Sequence, residues 1–116
     1  MESPLESAIV EQIQRLGGDK LLSELVQIFL GQAPVRLQEL RTGIADGDLE
    51  RAGKAAHSFR SSSVSLGARV IGEEAGVLER LADQGAAEQL RQRLPMFEAS
   101  LSELLSCLRA EFDGGR

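Results

Sequence analysis

The chain has no tryptophan and no tyrosine, only one cysteine and one histidine, and three prolines in 116 residues. Without Trp or Tyr it lacks the aromatic platforms on which bases stack. With 18 acidic against 13 basic residues it also lacks a basic stripe, so nucleic acid is excluded as a partner. A lone Cys107 forms no internal disulfide, and one Cys with one His is too small a ligand set for a zinc site, so no metal and no cofactor is expected. No long apolar run exists; charges interrupt every few residues, which argues against a transmembrane span or direct membrane contact. The opening Met1-Glu2-Ser3-Pro4 is acidic where a secretory leader would be basic. These absences leave a small, acidic domain spanning 1–116, expected in the cytoplasm and as a monomer, with a frayed tail at 113–116.

What is present is helical periodicity. Apolar residues recur three and four apart almost everywhere, and no run alternates with period two. Leu5, Ile9, Ile13 and Leu16 predict a short first helix, with Ser3, Pro4 and Glu6 as cap, first turn and capping-box acid and Gly17-Gly18 as its stop. Asp19 is placed to cap a second helix carrying Leu22, Leu25, Ile28 and Phe29. Gly31 and Pro34 predict a break before a third helix through Leu37, Leu40 and Ile44. After the Asp46-Gly47-Asp48 turn, a long helix runs from Asp48 to about Leu66, with Gly67 as its left-handed end. A fifth spans roughly 68–84 with Val70, Ile71, Val77, Leu78 and Leu81 apolar, ending at Gly85. The last, 86–112, keeps its register across Pro95 and so reads as one kinked helix. The fold class is therefore all-α: an antiparallel four-helix bundle with an additional short N-terminal helix across one end.

One segment carries chemistry, Ala55 to Ala68. On a helical wheel Ala52, Ala55, Ala56, Phe59, Ser63 and Leu66 form one apolar stripe, and His57 points about 140° away from its centre. The histidine therefore faces solvent. At i−4, i−3, i+3, i+4 and i+7 stand Gly53, Lys54, Arg60, Ser61 and Val64: two cations, two small residues, and no carboxylate. Flanking positive charge favours the unprotonated ring, whose free nitrogen is a nucleophile towards phosphorus. Once phosphoryl is bound, the same cations stabilise it through charge-assisted hydrogen bonds. The small neighbours leave the ring open to a partner. Ser62 and Ser63 read as small packing residues, and Cys107, among Leu104, Leu105 and Leu108, as a small core residue. A Ser-His-acid hydrolase is disfavoured, because an exposed helical His offers poor support for the inward acid that would have to orient it.

The stretch Ala56, His57, Phe59, Arg60, Ser61, Ser62, Ser63, Leu66, Gly67, Ala68 resembles the signature of histidine-containing phosphotransfer (HPt) domains. The Gly47-Asp48 turn, the Leu78-Glu79 pair and the closing leucine-rich helix are similar too. The resemblance implies an elongated bundle in which His57 is phosphorylated from the aspartyl-phosphate of a receiver domain and passes the group to another receiver. It implies Arg60 as the residue that stabilises the phosphoryl group, and Gly53, Lys54, Ser61 and Val64 as docking positions. The implied partners are receiver domains of response regulators or of hybrid sensor histidine kinases. The protein would be a carrier without an ATP site, since no Gly-rich nucleotide loop occurs. A helical adaptor that binds a kinase, receiver or enzyme without transferring phosphate is the alternative. Two positions depart from the pattern. Arg60 replaces Lys, a planar fork for a compact ammonium. Ser61 replaces Gly, with a hydroxyl placed to bond the carbonyl of His57 or a phosphoryl oxygen.

Overall fold

The computed structural model describes residues 3–112. They form four helices, α1 (Ser7–Asp46), α2 (Leu49–Leu66), α3 (Arg69–Asp83) and α4 (Ala87–Phe112), with no strand among the described residues. Helix α1 packs on α2 and α4, and α3 packs on the same two, which closes a four-membered ring. Short turns make successive helices antiparallel. The body is elongated, 42 × 24 × 23 Å.

Helix α2 follows its local signals closely. The Asp48 side chain accepts the Arg51 N–H at 3.1 Å as N-cap, and Gly67 ends the helix at φ 86°, a left-handed conformation that a β-carbon would strain. Its buried residues are the stripe read from the wheel: Ala52, Ala55, Ala56, Phe59, Ser63 and Leu66. Phe59 meets Phe97 of α4 edge to face inside the bundle, with ring centroids 5.2 Å apart. Helix α4 runs unbroken through Pro95, as its register predicts.

The N-terminal half departs from expectation. Three predicted helices are one helical run, interrupted only at Gly18, whose φ 74° and ψ −170° lie in a region open essentially to glycine alone. Neither Gly31 nor Pro34 breaks it. Pro34 forfeits one backbone bond, but Phe29, Leu30 and Ala33 before it and Leu40 and Ile44 after it are all buried, and that burial holds the two halves in line. The capping box does not form either. The helix starts at Ser7, Ser3 Oγ accepts Leu5 N–H at 3.2 Å, and the Glu6 N–H donates to the Gly67 carbonyl at 2.8 Å. A tertiary bond to the α2–α3 turn has displaced the local one, and it ties the start of α1 to that turn. Asp19 accepts from Gln14 Nε2 at 2.9 Å across the kink instead of capping. Leu16 (76% exposed), Ile28 and Val70 face solvent, not the core. The predicted frayed tail, 113–116, lies outside the described residues.

Ser63 is fully buried and its Oγ has no hydrogen-bond partner among the described residues. Leaving such a hydroxyl unmet costs about 1–3 kcal/mol, and Ala is the better helix former. Ser63→Ala is therefore expected to raise the unfolding free energy by about 1 kcal/mol, read from the urea midpoint at unchanged m-value.

Candidate functional site

Burial of Ala55, Ala56 and Phe59 fixes the rotation of α2 and turns His57 outward; its side chain is 57% exposed. The ring is not isolated, however. Glu79 reaches across from α3, and its Oε2 lies 2.9 Å from His57 Nδ1 while its Oε1 lies 2.9 Å from Arg60 Nε. One carboxylate, itself 27% exposed, thus braces both residues singled out from the sequence. An ionised carboxylate can only accept, so Nδ1 carries the hydrogen of this bond. In the neutral ring the lone pair then sits on Nε2, which has no partner among the described residues.

The local charge also differs from that of α2 taken alone. Arg60 pairs with Glu79, and Lys54 pairs with Glu50 at 3.4 Å with both side chains well exposed. Each flanking cation has a carboxylate of its own, so the uncompensated positive surroundings expected of the isolated helix do not arise. Neither acid stands at the positions read around His57: Glu79 is on another helix, and Glu50 lies seven residues back on α2.

Glu79 reaches the site because α3 comes close to α2. Gly72 and Gly76 are buried on the approaching face: a β-carbon on Gly72 would stand 3.4 Å from Val64 Cγ2, and one on Gly76 would stand 3.3 Å from Arg60 Cδ. Gly72, Gly76 and Glu79 share one side of α3 at helical spacing. That row of two glycines ending in an acid was the available signal; read as sequence it says only that a helix is small on one side.

The remaining positions surround the ring. Gly53 faces α3, where its β-carbon would be 3.3 Å from Ala82 Cβ, and with Lys54 it lines a groove shared by His57 and Glu79. Ser61 and Val64 line a second groove between α2 and α3, and Val64 is 60% exposed. Phe29, Gln32, Ala33 and Arg36 of α1 form a third with His57 and Ser61. Ser61 makes no bond to the His57 carbonyl; the back-bonding hydroxyls are Ser62, to Ser58 O at 2.8 Å, and Ser65, to Ser61 O at 3.0 Å. Among the described residues no group of three or more His, Cys, Asp or Glu side chains is arranged to hold a metal ion, and no helix is long and apolar enough to cross a membrane.

The site is thus one exposed imidazole on the side of a helical bundle, with Nδ1 held by a carboxylate from the next helix. The chain matches the family model of the Hpt domain over residues 24–113, and it belongs to that family. It is similar in fold to the crystal structure of histidine-containing phosphotransfer protein B (HptB) from Pseudomonas aeruginosa PAO1, with a TM-score of 0.88 and 21% identity over the whole of both chains. No curated protein matches it in sequence. Membership carries a role in histidine phosphotransfer within two-component signalling. Hpt domains are phosphocarriers, not catalytic enzymes, and they interact with receiver domains.

Proposed function

We propose that residues 1–116 act as a single, monomeric, cytoplasmic phosphoryl carrier without an ATP site. His57 accepts phosphate from the aspartyl-phosphate of one receiver and delivers it to another. The observation that carries this reading is the exposed ring with Nδ1 engaged by Glu79 and Nε2 open. In the forward step the Nε2 lone pair forms a P–N bond while the acyl-phosphate P–O bond breaks, its electron pair returning to the donor carboxylate. Nδ1 keeps its hydrogen on Glu79, so no proton has to move, and the charge gained by the ring is met by that carboxylate. The return step reverses this: an incoming Asp carboxylate attacks phosphorus, and the P–N pair returns to Nε2. Arg60 stabilises the transferring phosphoryl oxygens, and Gly53, Lys54, Ser61 and Val64 form part of the surface on which the receiver settles.

The test is incubation with a ³²P-labelled receiver. The expected product carries label that is lost in acid and kept in base, as a phosphoramidate is. Binding with no label transferred from any receiver of a panel would instead establish the adaptor. Arg60→Ala is expected to slow transfer about tenfold by removing a charge-assisted contact to the phosphoryl group. Because Arg60 is half exposed, its loss should move the unfolding free energy by less than about 1 kcal/mol. Transfer at the wild-type rate would remove Arg60 from the mechanism.

A further inference from the structure

Arg60 is not the only cation at this site. A β-carbon on Gly76 would lie 3.3 Å from Arg60 Cδ and 4.0 Å from Arg80 Nη1, so two arginine side chains, one from α2 and one from α3, fold over the same glycine. Both line the α2–α3 groove with His57. Bringing like charges together is unfavourable unless something anionic compensates them. Glu79 serves Arg60, but Arg80 is exposed and has no carboxylate partner among the described residues. Farther along the groove Arg69 and Glu73 neutralise each other at 3.2 Å, Glu6 lines its far end beside Gly67, and Asp83, a turn beyond Arg80, opens instead to the neighbouring groove with Lys54. In a chain of net charge −5, the wall next to His57 therefore keeps a spare positive charge.

We infer that Arg80 is a docking and specificity residue of the α2–α3 groove, and that it attracts the anionic aspartyl-phosphate face of an incoming receiver before any bond to His57 forms. The inference rests on the carrier reading and adds the side from which the partner approaches. The shape of the groove agrees with this. Gly76 leaves a bare strip of helix against which the Arg60 methylene and a guanidinium nitrogen of Arg80 lie, and Val64 and Val77 line the groove beside them. A cation on such a rim mainly raises the association rate, and its effect weakens with salt. The other role open to Arg80 is ordinary stabilisation of the α3 C-terminus, where it lies in the last turn. That role would appear in thermal stability and would leave no salt-dependent mark on transfer.

The experiment compares wild type, Arg80→Gln and Arg93→Gln, the last removing an exposed charge from α4. Transfer from a phosphorylated receiver is followed at low and high ionic strength, and His57 is labelled in parallel with phosphoramidate, a donor too small to need docking. For Arg80→Gln the expected result is about a five- to tenfold lower bimolecular rate at low salt, converging on wild type near 0.5 M salt, with phosphoramidate labelling unchanged. Arg93→Gln should stay within about twofold of wild type throughout. Equal rates for Arg80→Gln and wild type, equal losses for both variants, or a matching loss with phosphoramidate would each overturn the inference while the carrier reading stands. Absence of label in the wild type with every receiver would overturn both.

Discussion

His57→Gln takes up no label from a phosphorylated receiver and remains folded. Glutamine is close in reach and polarity, but its amide nitrogen has its lone pair delocalised into the carbonyl and does not attack phosphorus. The expected loss is complete, not partial, because no second imidazole exists in the chain. Stability should change little. The side chain is 57% exposed, and surface substitutions of this kind stay within about 0.5 kcal/mol. Unfolding by urea and the transfer assay on the same sample check both halves. Label persisting in the variant would move the acceptor elsewhere, and a large loss of stability would mean the ring supports the fold.

Phe59→Ala should do the opposite, damaging the bundle and the site together. Phe59 is 1% exposed and stacks edge to face on Phe97, itself 2% exposed, so truncation leaves a cavity between α2 and α4. Losing a buried aromatic costs about 3–5 kcal/mol, a large share of the roughly 5–15 kcal/mol that holds a domain together. The measurement is the shift in urea midpoint. A cost below about 1 kcal/mol would contradict the rotation of α2 described above. Phe59 is two residues from His57, so the contact that anchors the helix also aims the ring. Phosphoryl uptake is expected to fall with the folded fraction, whereas His57→Gln removes uptake from an intact fold.

Much of this was legible along the chain. Helix α2 is bounded by a capping Asp48 and a terminating Gly67, and its apolar stripe leaves His57 on the opposite side, so its limits and its outward histidine follow from residues within a few positions of each other. The course of α4 through Pro95 was readable for a similar reason, since leucines keep one register on both sides. Helix α1 was not. Gly31 and Pro34 are local breakers, and only the burial of Phe29, Ala33, Leu40 and Ile44 against other helices overrides them. The capping box at Ser3 and Glu6 lost to a backbone bond with Gly67, more than sixty residues away.

The amino-acid order alone settled that this is a helical bundle with one solvent-facing imidazole, because periodicity, caps and a helical wheel are properties of neighbouring residues. Tertiary packing decided that Glu79 holds Nδ1 and shares itself with Arg60, and that Arg80 meets Arg60 over Gly76. Those groups lie on different helices, and how near α3 comes to α2 depends on glycines whose meaning appears only when the facing side chains are in place.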